Sequence, residues 1–199
     1  MDAPDDYDSP WKEAVESYFP EFIEFYFPDA SRQIDWARGY QFLDQELRAV
    51  VQDAELGKRF VDKLAKVALC DGSERWVYVH LEVQGSAQAE FAERMFVYNY
   101  RLYDRYRQPV ASLAVLADTT ANWRPNHFGF AVLGCEHELR FPAVKLLDYA
   151  AQQDQLYSNP NPFALVTLAH LLTQATRQDM NARFAAKWKL VQLLYQRGW

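Results

Sequence analysis

Residues 61–84, VDKLAKVALCDGSERWVYVHLEVQ, form the stretch of sequence that decides the fold. Two runs rich in valine, leucine and aromatic residues flank a turn-forming CDG sequence at 70–72, so the stretch predicts a β-hairpin. If those three residues form the loop, Gly72 takes the left-handed conformation that glycine favours. The hairpin register then follows, and it places Asp62 opposite His80.

A second register is conceivable, because residues 71–72 alone could form a two-residue turn. The apolar alternation favours the three-residue loop, since that register puts the valines of both strands on one face, where Lys63 is the exception. Asp62 and Glu82 then converge diagonally on the other face. Two neighbouring carboxylates repel unless a proton or cation lies between them, and Mg²⁺ prefers such oxygen ligands. The hairpin therefore predicts a divalent metal site.

The sequence before the hairpin predicts helices. Ser9 and Pro10 are typical of a helix start, with Ser9 as the N-terminal cap. Apolar residues then recur at helical spacing, and Pro20 is expected to divide the helix and Pro28 to end it. A second, shorter helix is predicted over 41–53.

The sequence after the hairpin alternates between helix and strand patterns. Apolar residues at helical spacing predict a helix over 87–107, and the continuous apolar run 109–118 predicts a strand buried on both faces. Two further strands and two helices are predicted over 127–134, 137–147, 162–176 and 180–197. His170 is expected in the core of the first of those helices. This order indicates an α/β fold with a mixed sheet flanked by helices.

Composition narrows the class of protein. The chain has 199 residues, 50% of them hydrophobic, which suits a globular domain. A net charge of −6 argues against a broad basic face. The two cysteines are expected to be free thiols. The acidic N-terminus does not resemble a signal peptide and no apolar run is long enough for a membrane span, so a cytoplasmic protein without a membrane partner is expected.

The hairpin also resembles a known family. An aspartate on one strand, followed after a turn by Glu82-Val83-Gln84, resembles the PD-(D/E)XK phosphodiesterase superfamily. The glutamine in place of the usual lysine is similar to its recombination-promoting nuclease/transposase branch. The resemblance covers residues 8–118 and is carried by RFVDKLAKV (59–67), HLEVQGS (80–86), FAERMFVYNYRLYDRY (91–106) and the segments 8–28 and 42–48.

The resemblance implies a restriction-endonuclease-like mixed central sheet flanked by helices, with C-terminal helices. Residues 1–9 are then a flexible acidic lead-in and residues 10–135 the nuclease core. Residues 136–199 are a C-terminal helical extension packed on that core. Relatives often continue further, so the resemblance leaves open whether the chain is complete at Trp199.

The same resemblance implies a metal-dependent DNA endonuclease linked to mobile elements or recombination, with Mg²⁺ or Mn²⁺ as cofactor. Asp62, Glu82 and the main-chain carbonyl of Val83 would bind the metal. Gln84 would stand where the superfamily lysine orients the water or the phosphate, but its amide is neutral and cannot supply that charge.

Other site residues follow from the resemblance with alternatives open. An acidic residue from a preceding helix joins the superfamily site; Glu13 and Glu46 both qualify, and Glu13 is slightly favoured. Basic side chains on two helices are expected to contact DNA phosphates. These are Lys12, Arg94, Arg101 and Arg105.

Two other interpretations compete with the nuclease. A catalytically degenerate nuclease fold could serve as a DNA-binding or protein-interaction module, and the hairpin carboxylates would then form ordinary ion pairs. The candidate partners are Lys63 and Arg59 for Asp62, and Lys66 and Lys58 for Glu82. The apolar stripes of helices over 162–197 also permit a homodimer.

Overall fold

The computed structural model describes residues 8–52, 61–82 and 88–196, with the backbone alone for 8–10, 51–52, 61–62, 76–82 and 196. The chain falls into two compact units, Met1–Lys145 and Leu146–Trp199. The first unit contains, in chain order, α1 (Asp8–Ser17), α2 (Phe19–Tyr26), α3 (Pro28–Ser31), β1 (Tyr40–Phe42), α4 (Asp44–Gln52), β2 (Val61–Ala68), β3 (Glu74–Glu82), α5 (Phe91–Tyr106), β4 (Val110–Leu116), β5 (His127–Val132), β6 (Cys135–Arg140) and β7 (Ala143–Lys145).

A five-stranded mixed sheet is the centre of the first unit. Its strand order is β1-β2-β3-β4-β7, in which β1, β2 and β3 are antiparallel neighbours and β4 and β7 run parallel to β3. Helix α5 makes the crossover between β3 and β4 that a parallel pair requires. The predicted mixed α/β sheet flanked by helices is therefore confirmed.

The hairpin has the predicted three-residue loop. Asp62 pairs with His80, and the backbone N–H of Leu69 donates to the carbonyl of Ser73 over 2.7 Å. Gly72 closes the loop at a φ of 83°, a conformation that L side chains rarely adopt. The two-residue alternative is therefore excluded.

Helices cover both faces of the sheet. One face of the sheet carries the odd-numbered residues of the hairpin strands, including Ala65 and Val67, and we call it the odd-numbered face; the opposite face is the even-numbered face. Helices α1 and α2 cover the odd-numbered face, where Phe19 of α2 contacts the rings of Tyr40 and Phe42 in β1. The even-numbered face packs against α4 and α5 in one apolar cluster that includes Leu64. Helices that lie far apart in sequence therefore converge on the two sides of the hairpin.

Lys63 is the main surprise on the odd-numbered face. Its side chain is only 2% exposed, and its ammonium lies 2.5 Å from a carboxylate oxygen of Glu16 and 3.1 Å from one of Asp44. It also lies 4.9 Å from the ring centre of Phe42. A lysine can be buried when its charge is paired in this way.

The prolines act as expected in the N-terminal helices. Pro20 lies in the first turn of α2, directly after α1 ends, and α2 ends before Pro28. Helix α1 begins at Asp8, one residue before the predicted cap Ser9. The predicted helix over 41–53 is α4, which begins at Asp44.

Residues 127–145 form three strands rather than two. β5 and β6 make a separate two-stranded hairpin, and β7 adds to the central sheet. A two-residue turn joins β5 to β6, and both of its residues have positive φ, 51° at Leu133 and 79° at Gly134. Gly129 is required in β5, because a Cβ there would lie 2.8 Å from the carbonyl oxygen of His137.

The second unit is helical. It contains a 3₁₀ segment (Leu146–Gln152), α6 (Gln153–Ser158), α7 (Pro162–Ala175) and α8 (Met180–Gln196). Helix α7 is capped by the Asn161 side chain, which accepts from the N–H of Phe163. His170 is buried beside Gln174, as predicted.

The predicted apolar stripe of α8 is exposed. Its members are Phe184, Trp188, Val191 and Tyr195, and their spacing places them on one side of the helix. Met180, at the start of the helix, is exposed on the same side. Within the described ranges, no helix has the length and apolar character needed to cross a membrane. Both cysteines, Cys70 and Cys135, are free, as predicted, and both are exposed.

Candidate active site

The candidate site lies at one edge of the central sheet, where the carboxyl ends of three parallel strands meet. Glu82 is the last residue of β3 and is aligned with Leu116 of β4, which is aligned in turn with Lys145 of β7. β2 is antiparallel to β3, so Asp62, near its start, belongs to the same edge. Ligand sites of α/β sheets favour this edge.

The register places both predicted metal-binding positions on one face. Asp62 is opposite His80, and Glu82 follows two residues later, so the alternation of strand positions gives Asp62, His80 and Glu82 the same face. That face is the one with Leu64 and Leu116, which α4 and α5 cover. The structure describes only the backbone of Asp62 and Glu82; Val83 and Gln84 lie outside the described residues.

The two nearest alternative partners of these carboxylates are engaged elsewhere. Lys63 is paired with Glu16 and Asp44. Lys66 lies 2.7 Å from Glu74. The other two alternatives, Lys58 and Arg59, lie outside the described residues. The ordinary ion-pair explanation of Asp62 and Glu82 is therefore weaker for the partners that the structure describes.

The two candidates for the helical acid lie on opposite faces of the sheet. Glu13 is exposed on α1, which covers the odd-numbered face with α2. Glu46 is half-buried on α4, whose Leu47 packs in the cluster with Leu64. Glu46 thus lies on the side of the sheet that carries Asp62 and Glu82, whereas Glu13 does not.

The four predicted DNA-contacting residues are divided between two helices, α1 and α5. Lys12 is exposed on α1, on the odd-numbered side. The other three lie on α5, and their spacing of seven and four residues aligns them along one flank of that helix. Arg94 donates to the side-chain oxygen of Gln88, Arg101 is half-buried, and Arg105 lies over the ring of Tyr106.

A buried ion pair at the same edge was missed by the sequence analysis. Lys145 and Asp118 are almost completely buried, and the ammonium lies 2.5 Å from a carboxylate oxygen. The ammonium also donates to the Trp123 carbonyl over 3.3 Å, and the second oxygen of Asp118 accepts from the N–H of Thr120 over 2.7 Å. The available signal was Asp118 itself, a charged residue at the end of the apolar run 109–118, at the carboxyl end that favours ligand sites.

The pair has a structural consequence for the edge. It fastens β7 to the segment that follows β4, beside the row that contains Glu82. Its groups are satisfied by each other and by neighbouring backbone, so it holds the edge in place and does not extend into solvent.

Helix α5 is fixed on the sheet by one polar contact in addition to its apolar stripe. The side-chain amide of Asn99 donates to the carbonyl of Val110 over 2.8 Å and to the hydroxyl of Ser112 over 3.0 Å. Of the predicted stripe, Phe91, Met95, Tyr98 and Leu102 are buried, and its fifth member, Tyr106, is half-buried. The helix that carries the arginines is thus held in one rotation relative to β4.

Among the side chains that the structure describes, no three histidine, cysteine, aspartate or glutamate residues come together as a metal site. The carboxylates of Asp62 and Glu82 lie outside that set, so the predicted metal site stays a prediction. The chemistry of the donors, two carboxylates on neighbouring strands, suits Mg²⁺ or Mn²⁺. No protein-family model, curated protein or solved structure matches this chain.

Proposed function

We propose that the protein is a metal-dependent DNA endonuclease, linked to mobile elements or recombination, that hydrolyses phosphodiester bonds. The observation that carries the proposal is the hairpin register, which gives Asp62 and Glu82 one face at the carboxyl edge of the sheet. The strand order also supports it, because a hairpin, a crossover helix and a parallel strand are the arrangement expected of a restriction-endonuclease-like core.

In this proposal Asp62 and Glu82 hold Mg²⁺ or Mn²⁺, together with the main-chain carbonyl of Val83. Such an ion, when bound, lowers the pKa of water and offsets negative charge on the phosphate. Gln84 orients the reacting groups through its amide hydrogen bonds. Glu46, rather than Glu13, is the helical acid of this proposal, because α4 covers the face that carries the other two carboxylates.

Binding of DNA is assigned to the arginine flank of α5. Arg94, Arg101 and Arg105 supply positive charge locally in a chain whose net charge is −6. Lys12 lies on the other side of the sheet and is not needed for that contact. A cytoplasmic location is part of the proposal and follows from the sequence alone.

The test is cleavage of supercoiled plasmid with Mg²⁺, Mn²⁺ or EDTA. We expect nicking by the wild-type chain only with metal, and a loss of roughly a hundredfold or more in Asp62→Ala and Glu82→Ala, because each removes a metal ligand. Glu46→Gln should also lose activity, while Glu13→Gln should not. Glu93→Gln, at an exposed carboxylate of α5, is the matched control and should cleave normally.

One alternative has an observation in its favour. Gln84 replaces the usual lysine, which suits a degenerate nuclease fold that binds DNA or a protein without cleaving. In that case wild type and the two ligand variants would behave alike with every metal. Calorimetric titration with Mn²⁺ separates the two, since only the nuclease requires a metal affinity that Asp62→Ala abolishes.

A further inference from the structure

The outward side of α5 carries aromatic rings that no core requires. Tyr100 is 57% exposed and Tyr103 47% exposed, and Phe96 lies between them and the β5–β6 hairpin. Phe130 of β5 is 49% exposed and contacts Phe96 at a centroid distance of 6.2 Å. We call these four residues the outer aromatic surface.

The rings are arranged as a row rather than scattered. Phe96, Tyr100 and Tyr103 follow one another at helical spacing of four and three residues. The rings of Phe96 and Tyr100 are nearly parallel, at 13° and a centroid distance of 6.5 Å. Arg107 ends the row, with its guanidinium 6.0 Å from the ring centre of Tyr103. Flat groups in sequence can stack along such a row.

Positive charge accompanies the rings. Arg107 lies beside Tyr103, and Arg101 directly follows Tyr100 in the sequence, whereas Arg94 and Arg105 contact the rings of Phe91 and Tyr106 on the arginine flank. Asp104 is paired with Arg107 over 3.1 Å. Within the described residues the guanidinium of Arg101 makes no hydrogen bond or ion pair, so its charge is available to an anion.

Backbone strain points to the same two elements. In the described chain, the residues other than glycine with positive φ are Arg107, at 54°, and Leu133, at 51°. Arg107 caps α5, and Leu133 is the fully exposed tip of the β5–β6 hairpin, beside Val132. Such conformations cost free energy in non-glycine residues and cluster at functional sites.

We propose that the outer aromatic surface binds unpaired nucleotides of DNA, with bases stacked on Tyr100 and Tyr103 and phosphates paired with Arg101 and Arg107. Exposed rings with nearby arginines are the chemistry of single-strand binding, and bases in a duplex do not offer their faces. The inference rests on the proposed nuclease and deepens it. The favoured substrate is DNA in which a duplex adjoins a single-stranded segment.

A second copy of the chain fits the outer aromatic surface less well than DNA does. The exposed parts of these rings and the hairpin tip amount to on the order of 500 Å², below the ~800 Å² per partner of a standard interface. A protein interface of that size would also have to accommodate the unpaired charge of Arg101. Nucleic acid would use both the exposed rings and the charge of Arg101.

The test measures the binding of a fluorescent oligothymidine of about 16 nucleotides. Fluorescence anisotropy reports the binding, and EDTA is present throughout. We expect wild type to bind it more tightly than a duplex of equal length. Tyr100→Ala with Tyr103→Ala should weaken oligothymidine binding by about tenfold or more per ring, and Tyr100→Phe with Tyr103→Phe should keep it. Tyr18→Ala, at an exposed tyrosine between α1 and α2, is the matched control.

Three results would overturn the inference. One is unchanged oligothymidine binding in the alanine pair. Another is an equal loss in the phenylalanine pair, which would exclude stacking. The third is a wild-type dimer that the alanine pair converts to monomer by light scattering, which would make the surface an interface between copies. Thermal melts by circular dichroism monitor folding, and the two single alanine variants replace the pair if it unfolds.

The binding assay and the plasmid assay fail independently. Binding is measured in EDTA, so it is scored whether or not the chain cleaves DNA. Loss of plasmid nicking in Asp62→Ala with intact oligothymidine binding supports both proposals. If oligothymidine binding depends on the rings but the wild-type chain never nicks plasmid, the result supports nucleotide binding by the outer aromatic surface and contradicts the proposed nuclease.

Discussion

At the scale of single residues, Lys63 is a buried charge whose two partners lie at the surface. Its ammonium is buried, whereas its partners Glu16 and Asp44 are 40% and 46% exposed. Breaking a buried pair from one side leaves an uncompensated charge, while replacing the charge with an apolar side chain of similar size is often neutral. Removing the carboxylates is therefore expected to destabilise the fold, whereas replacing the lysine is expected to have little effect.

We expect Glu16→Gln with Asp44→Asn to lower the free energy of unfolding by roughly 3–5 kcal/mol, and by more than the sum of the single changes. Lys63→Met should change stability by about 1 kcal/mol or less, because the methionine keeps the contact with Phe42. Adding Lys63→Met to the double variant should restore stability. Urea unfolding measures the two single variants, the double variant, Lys63→Met and the triple variant. A double variant that Lys63→Met does not rescue would contradict the account.

Asp71, in the loop of the central hairpin, is a residue whose charge should make stability depend on pH. Hydrogen bonds from the side chain and backbone N–H of Ser73 hold the pKa of Asp71 below its ordinary value of 3.8. A group whose pKa is lowered by folding stabilises the native state above its unfolded pKa. That contribution is lost as the pH falls through the folded pKa.

Asp71→Asn keeps an oxygen acceptor but removes the charge. We expect wild type to unfold at a higher urea concentration than Asp71→Asn near neutral pH, with the difference shrinking below pH ~4. Glu93→Gln, on exposed helix surface, serves as a control. A difference that grows on acidification would have the wrong sign for this carboxyl group.

At the scale of elements, the β5–β6 hairpin combines a favourable turn type with an unfavourable residue. Both turn residues need positive φ, as in the tight turns that suit the twist of a hairpin, and asparagine followed by glycine is preferred there. The chain has Leu133 before Gly134. A left-handed conformation costs an ordinary L-residue about 1–2 kcal/mol.

Leu133→Asn should therefore raise the free energy of unfolding by about 1 kcal/mol, because asparagine tolerates the left-handed region. Leu133→Ala removes the same exposed side chain but keeps the strain, so it should give no such gain. Differential scanning calorimetry measures both. Equal stability of the two variants would show that backbone strain at the tip is not what limits the hairpin.

Other elements show where local pattern is enough. The buried stripe of α5 and the buried run Ser112–Leu116 of β4 match the predictions, because each burial pattern follows from the period of its own element. The predicted strand over 127–134 is β5, which pairs with β6 in a hairpin. That hairpin was not predicted, because the single glycine Gly134 is a weak turn signal. β7 joined the sheet through pairing with β4, which no local pattern in its three residues specifies.

At the scale of the whole molecule, α8 carries the feature that bears on assembly. Its exposed stripe runs from Met180 to Tyr195, with Trp188 57% exposed at its centre. Exposed apolar stripes of this kind mark interaction sites. The homodimer predicted from the sequence would use this stripe.

We expect light scattering to give the mass of a dimer, and Trp188→Glu to shift it to the monomer, because a carboxylate in an apolar interface loses its hydration. Ala185→Glu adds the same charge at an exposed position beside the stripe, and it should leave the dimer intact. A wild-type monomer at high concentration would contradict the prediction.

The sequence by itself determined the local geometry of the site. The CDG loop, the register that pairs Asp62 with His80, and the helix that follows the hairpin all depend on turn chemistry and on periodicity within a few residues. The same local information placed His170 in a core. These features are fixed by neighbours along the chain, so they are visible in one sequence.

Only the tertiary structure decided which side of the sheet each helix covers. It put Glu46, and not the favoured Glu13, on the face of Asp62, and it buried Lys63 between carboxylates from two helices. It also joined Asp118 to Lys145 across strands β4 and β7. Each outcome depends on contacts between residues far apart in the chain, which propensity and periodicity do not encode.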